Sequence, residues 1–287
     1  MPPRFRYTLR PDNPTVSEKH FALRGGYIPL PPAVDLTKFC GPINNQGNIG
    51  DCSGEAGSEL VEWYLNAQQK PFVRLSPMFV YAWERILAGD LNQDGGARLQ
   101  DDAQVLTTKG VAPLAVWPTN PSTLFSTPSE EANRKALAYR MATAYRLHGL
   151  SDVLQALAQS HVPLIGIVVY PAFESDEALR TGHVPIPQQF NQALGGHALL
   201  AVGYDLNAQW VKVQNSWGEH VGDHGFFYIP FTYLSAGLMS AWVILPEDPP
   251  PAPKEAPLEK AQVVPPELPK TPPAEKPTSP KNRKKSA

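Results

Sequence analysis

The sequence predicts an α+β fold, with helices gathered in its first half and strands in its second. Three observations carry this. Helical spacing of apolar residues runs from Cys52 to about Gly110, short apolar or alternating runs bounded by Gly, Asn and Pro follow, and the two kinds do not alternate as they would in βαβ units. Two packed halves of this kind leave a cleft between them, a natural place for a ligand.

The elements follow in order. After Cys52, Ala56, Leu60, Tyr64 and Ala67 recur at helical spacing, and Val61 and Leu65 widen the stripe. In "LSPMFVYAWERILAG", Ser76 and Pro77 are a cap and first-turn pair and Gly89 is the stop. "RLQDDAQVLTTKG" puts Leu99, Ala103 and Leu106 on one face and ends at Gly110. Thr127, Pro128 and Glu130 predict a capping box, and "SDVLQALAQS" a further short helix. The predicted strands are "PLIGIVVY", "HALLAVGY", "QWVKVQNSW", "GFFYIP" and "AWVIL".

Two boundaries frame this body. Residues 1–30 are mixed, Pro-containing and without sustained period, and read as an N-terminal arm. From residue 246 to 287 the chain is nearly all Pro, Lys, Glu, Ala, Thr and Ser. Such a tail buries too little apolar area to offset the entropy of ordering it, so a disordered segment with polyproline-II character is expected. A proline-reading partner for it is the functional alternative to a plain spacer.

Composition excludes several classes. With 25 basic and 27 acidic residues the net charge is −2, which predicts neither a nucleic-acid nor an anionic-membrane surface. There is no run of about 18 apolar residues, and "MPPRFRYTLRPDNPTVSEKH" lacks the apolar core of a secretory signal. Two cysteines do not make a disulfide scaffold; a reducing, cytoplasmic setting is expected.

Cys52 lies where a loop of Asn, Gln and Gly gives way to a helix. Backbone N–H groups at a helix start carry partial positive charge and favour a thiolate, the reactive form of the side chain. Such a nucleophile needs a histidine partner, and that histidine needs an orienting group. Of seven histidines, His20, His148, His161, His183, His220 and His224 read as surface or loop residues. His220 and His224 lie in a glycine-containing loop without a third ligand, so no metal site and no cofactor are expected. His197 instead opens a strand after two glycines, and Asn215 ends another just before Trp217. An Asn oxygen can accept from one imidazole nitrogen and leave the other to face the sulfur.

With these residues assembled, the chain resembles the papain-like cysteine peptidases over about residues 31–245. "PPAVDLTKF", "NNQGNIGDCSGEA", "DGGARLQDDAQVLTTKGVAPLAVWP", "GGHALLAVGYD" and "NSWGEHVGDHGFFYIP" match that family's segments in order. His197 follows Cys52 by 145 residues and Asn215 by 163, near the family's long separation. The resemblance implies a two-lobe fold, a helical lobe facing an antiparallel, barrel-like β lobe across the active-site cleft. It implies Cys52 as nucleophile, His197 as acid and base, Asn215 as its orienter and Gln46 as oxyanion donor. Gly95 and Gly96 would pair with an extended peptide or protein substrate, and Trp217 would cover the His–Asn bond. A catalytically weak interaction protein, and an acyl transferase or amide hydrolase using the same pair, are the alternatives.

The chain departs from the family in places. Ile49 stands where many members have a cysteine, and Ser53 where an aromatic usually follows the nucleophile. Asp51, beside the sulfur, would oppose a thiolate if ionised. Cys40 reads as a small buried hydrophobe. The residues before Ala33 are too few for the helical prosegment of secreted members, so the arm is expected only to brace the fold.

Overall fold

The computed structural model describes residues 4–13, 19–20, 26–190 and 192–249. Helices α1 (Cys52–Ala67), α2 (Pro77–Ala88) and α3 (Leu99–Thr108) pack on one another on one side of the molecule. The α2 cap is the expected one: Ser76 Oγ accepts the Phe79 N–H at 3.0 Å, Pro77 opens the helix and Gly89 closes it in the left-handed conformation. The next helix, α4 (Glu130–Ala136), starts two residues later than the predicted box, because Ser129 rather than Thr127 accepts the capping N–H, from Ala132. Helix α5 (Leu150–Ala158) follows as predicted; α6 (Asp176–Thr181) and α7 (Phe231–Gly237) are too short to show a period.

The strands are β1 (Ala33–Asp35), β2 (Thr143–Arg146), β3 (Leu164–Val169), β4 (Gly195–Asp205), β5 (Trp210–Gln214), β6 (Phe226–Pro230) and β7 (Leu238–Leu245). All the pairings are antiparallel, in the order β2-β7-β3-β4-β5-β6 with β1 beside β4. This corrects the barrel-like expectation: the sheet is open. Closure would require β2 to pair with β6. Among the described residues each edge instead carries an isolated bridge, His20 against Arg146 of β2 and His183 against Tyr228 of β6.

Strand β4 lies centrally in this sheet and is buried from Gly196 to Tyr204. It packs against α1, so the first turn of the helix meets the start of the strand. One core runs through both, from Leu60 and Trp63 on the helix to Leu199, Val213 and Val243 on the sheet. The tail expected from residue 246 lies, from residue 250 onward, outside the described residues.

Candidate active site

Cys52 is the first residue of α1, and its sulfur stands beside the Ala198 and Ser53 backbone amides. Ala198 follows His197 on β4, so the helix start and the strand start bring these two residues together. His197 donates its Nε2–H to Asn215 Oδ1 at 2.8 Å, while Nδ1 has no hydrogen-bond partner. The Asn215 oxygen also accepts the Ser216 N–H at 2.8 Å, and the Asn215 N–H donates to the Gly225 carbonyl at 3.0 Å. Trp217 lies roughly parallel over the imidazole, with ring centroids 5.2 Å apart.

Gln46 ties the helical side to this segment. Its N–H donates to the Ser216 carbonyl at 3.0 Å, and its Oε1 accepts the Ser216 hydroxyl at 2.9 Å. Its Nε2 donates to the Ile49 carbonyl at 2.9 Å, which uses one of the two amide hydrogens. Ser216 was not singled out from the sequence, although it sits inside the Asn-Ser-Trp run. Gly95 and Gly96 lie just before α3, with the Gly96 N–H held by the Tyr81 hydroxyl at 3.0 Å.

The N-terminal arm, expected to brace the fold, lies in this groove. Leu9 N–H donates to the Gly196 carbonyl at 3.0 Å and Arg10 N–H to the Ala97 carbonyl at 2.8 Å, so the arm bridges the two walls. The approach is so close that a Cβ on Gly96 would lie 1.9 Å from the Thr8 carbonyl, and one on Gly196 2.4 Å from the Leu9 carbonyl. Phe5 stacks on Trp217 at 3.9 Å, and Tyr7 stands edge-on to His197. The Leu9 side chain fills a notch against Gly166 and Leu99. Arg6 pairs with Asp94 at 2.6 Å, Arg10 with Asp90 at 2.7 Å and Arg4 with Asp176 at 3.0 Å. A signal for this was present: Phe5, Tyr7 and Leu9 alternate with Arg4, Arg6, Thr8 and Arg10 in the period of an extended strand.

Under the arm the site is dry. Cys52 is 1% exposed and His197 0%. Burial pushes the Cys52 thiol up to about 12, against the pull of the Ala198 and Ser53 amides, and Asp51 and Glu84 push the same way. Burial also draws His197 down to about 4, opposed by the Asn215 bond. Both shifts favour the neutral thiol and the neutral imidazole in this closed arrangement, against the thiolate that the helix start favours. Asp51 is raised to about 7 by its own burial, so below that pH it carries little charge to oppose a thiolate. Cys40 is half-buried, and its thiol is raised by burial and by Glu59. Among the described residues, no helix is long and apolar enough to cross a membrane.

Three comparisons bear on the family and the fold. The profile of the papain family of cysteine proteases matches residues 30–240. The chain is 28% identical over 234 residues to an uncharacterised peptidase C1-like protein of Acanthamoeba polyphaga mimivirus, covering 76% of this chain and 74% of that protein. Xylellain, a cysteine protease from Xylella fastidiosa, superposes with a TM-score of 0.77 at 27% identity, over 84% of this chain and 96% of that one. A cysteine protease of Carica candamarcensis, solved in complex with E-64, shares the fold with a TM-score of 0.58 at 18% identity, over 76% of this chain and all of the other.

Proposed function

Since the chain belongs to the papain family of cysteine proteases and is a cysteine peptidase, we propose that it cleaves peptide bonds through Cys52, His197, Asn215 and Gln46, and that its own arm keeps it latent. The observation that carries the reading is the His197–Asn215 bond. It fixes the proton on Nε2 and leaves Nδ1 free on the strand that meets the Cys52 helix start.

In the open enzyme Nδ1 takes the thiol proton, and the thiolate attacks the scissile carbonyl. The resulting oxyanion is held by the Cys52 N–H and the remaining Gln46 amide hydrogen. His197 then gives its proton to the leaving amine, and water releases the acyl group from sulfur. The helix start favours the thiolate, and the ion pair forms once the arm leaves and water readmits charge.

Direction would spare the arm from cleavage. The acyl half of a substrate pairs with Gly95 and Gly96, and the leaving half departs past His197 and Trp217. A productive chain therefore runs from Gly96 towards Trp217. The arm runs the other way, with Phe5 at Trp217 and Arg10 at Gly95. Cys40 and Cys52 are both free thiols, and a cytoplasmic setting that keeps them reduced is part of the same proposal.

The test is alkylation of the full-length protein with a thiol-directed electrophile, alongside hydrolysis of fluorogenic peptide amides. Labelling of Cys52 should be slow, faster in 0.5 M NaCl as the arm's ion pairs are screened, and matched by hydrolysis. Cys52→Ser should lose at least about 10⁴-fold in hydrolysis, and His197→Ala should slow both readouts. An opened groove whose Cys52 reacts no faster than free cysteine would favour the catalytically weak or inactive interaction protein, to which the buried pair also lends itself.

A further inference from the structure

Beyond Leu9 the arm makes a contact whose charge sense is opposite to that of its arginine pairs. Asp12 turns its carboxylate into the body, and that side chain is fully buried. The Gln100 N–H, in the first turn of α3, donates to Asp12 Oδ1 at 3.0 Å. Trp242 Nε1 donates to Oδ2 at 2.9 Å, the Ser240 hydroxyl donates to the same oxygen, and the Arg146 guanidinium stands 3.6 Å from it. We propose that this cradle of Gln100, Ser240, Trp242 and Arg146 is a carboxylate subsite of the substrate groove, which selects peptides carrying an acidic side chain upstream of the scissile bond once the arm is displaced. The inference rests on the peptidase reading above, and it names the substrate class that reading leaves open.

The donors belong to the body rather than to the arm. They come from three elements, α3, β2 and β7, and Ser240 and Trp242 are each only 5% exposed. The indole N–H, which can only donate, also reaches Ser240 Oγ at 3.1 Å, so withdrawal of Asp12 leaves it with that hydroxyl, beside the Gln100 N–H and the Arg146 guanidinium that had faced the carboxylate. Such a place favours an anion, because charge-assisted bonds in a sheltered setting are the strong ones. The arm's other charged contacts have the opposite sense: Arg4, Arg6 and Arg10 meet Asp176, Asp94 and Asp90. A substrate carboxylate is thus repelled along most of the path and welcomed at this point, which discriminates by both terms.

The cradle adjoins the Leu9 notch, because the Ser240 Cβ borders the same Gly166 that Leu9 packs against. That places it on the acyl side of the groove. Asp12 lies three residues beyond Leu9, a reach of about 10 Å in extended chain. A substrate running in the productive sense would reach the cradle with a residue about three positions before the one that fills the notch.

The experiment uses the full chain carrying Cys52→Ala, so that only binding is read, and Asp12→Ala, so that the arm no longer supplies the carboxylate. Two fluorescein-labelled peptides, identical except for glutamate or glutamine three residues before a leucine, are titrated by anisotropy. The glutamate peptide should bind about tenfold tighter. That preference should fall to about twofold or less with Arg146→Ala, whose side chain is partly exposed, and independently with Ser240→Ala, with the glutamine peptide's affinity little changed. Equal binding of the pair, binding of neither, or a preference that survives both substitutions overturns the subsite. With Cys52 restored, the glutamate peptide should be cleaved at lower KM. If it binds more tightly but neither peptide is cut, the peptidase reading fails and the subsite stands.

Discussion

Helix α1 and strand β4 face each other at the groove and bury very different side chains. Along α1, Asp51, Glu55, Glu59 and Glu62 fall at successive turns, each no more than 3% exposed. Glu62 accepts the Leu75 N–H at 2.7 Å and pairs with Arg74 at 3.0 Å, and Glu59 accepts the Asn44 N–H at 3.2 Å. Asp51 has no hydrogen-bond partner on either side-chain oxygen. Burial raises all four, Asp51 and Glu62 to about 7, Glu59 to about 8, and Glu55 well above the usual carboxyl range. Strand β4 buries Ala198 to Val202 as an apolar run, with His197 the one titratable side chain at its start. The helical wall is therefore responsive to pH, while the strand wall is a rigid apolar mount for one imidazole. The difference teaches that the proposed nucleophile and its proposed base are tuned separately, by wall material as much as by contact with each other.

The largest test of this division is at the residue that joins the walls. Gln46→Ala should lower kcat about 10²–10³-fold, measured on peptide amides, and should cost some stability through the lost Ser216 bond. A loss confined to stability would return Gln46 to a purely structural link. Next in size is the arm that spans both walls. Leu9→Asp places a charge in the apolar notch, so Cys52 alkylation and hydrolysis should both rise on the order of tenfold or more. Unchanged rates would mean that the arm does not control access.

Thermal unfolding against pH sharpens the contrast in wall material. Glu59 and Glu62 hold their protons in the folded chain above the 4.5 at which an unconstrained glutamate loses them. Their contribution to stability is whole below that pH and is lost as pH rises through about 7 to 8. The melting temperature should fall on the order of 5–10 °C over this window, and Glu59→Gln should flatten the decline. A melting temperature that climbs from pH 5 to pH 8 would contradict the burial argument. The smallest effect belongs to Asp51. Above about pH 7 its charge opposes the neighbouring thiolate, so Asp51→Asn should raise kcat/KM a few-fold at pH 8 and leave it nearly unchanged at pH 5.5. An equal gain at both would point to packing instead.

The strand wall was legible because its pattern is local. "HALLAVGY" can be little else than a buried strand, and β4 occupies it with a few residues to spare. Helix α1 was legible as a helix but not in its surroundings. Ala56, Leu60 and Tyr64 read as the apolar face, yet Glu55, Ser58, Glu59 and Glu62 are buried as well. A carboxyl at helical spacing looks like a solvated face until α2, α3 and the residue 42–46 loop close over it. The cap at Ser129 slipped by two residues because Thr127 and Ser129 are both chemically able to cap, and only backbone geometry chooses between them. The arm's alternation of Phe5, Tyr7 and Leu9 was present in the sequence, but a short isolated strand has no local sign of where it docks.

By itself, then, the sequence determined the order of helices and strands, and the identity and spacing of Gln46, Cys52, His197 and Asn215, because periodicity and residue chemistry are properties of the chain alone. Tertiary structure decided that the sheet stays open, that a row of carboxyls is dry, and that residues 5–12 fill the groove. Each of these depends on which surfaces far apart in the chain exclude water from one another, and that is settled only when the chain closes on itself.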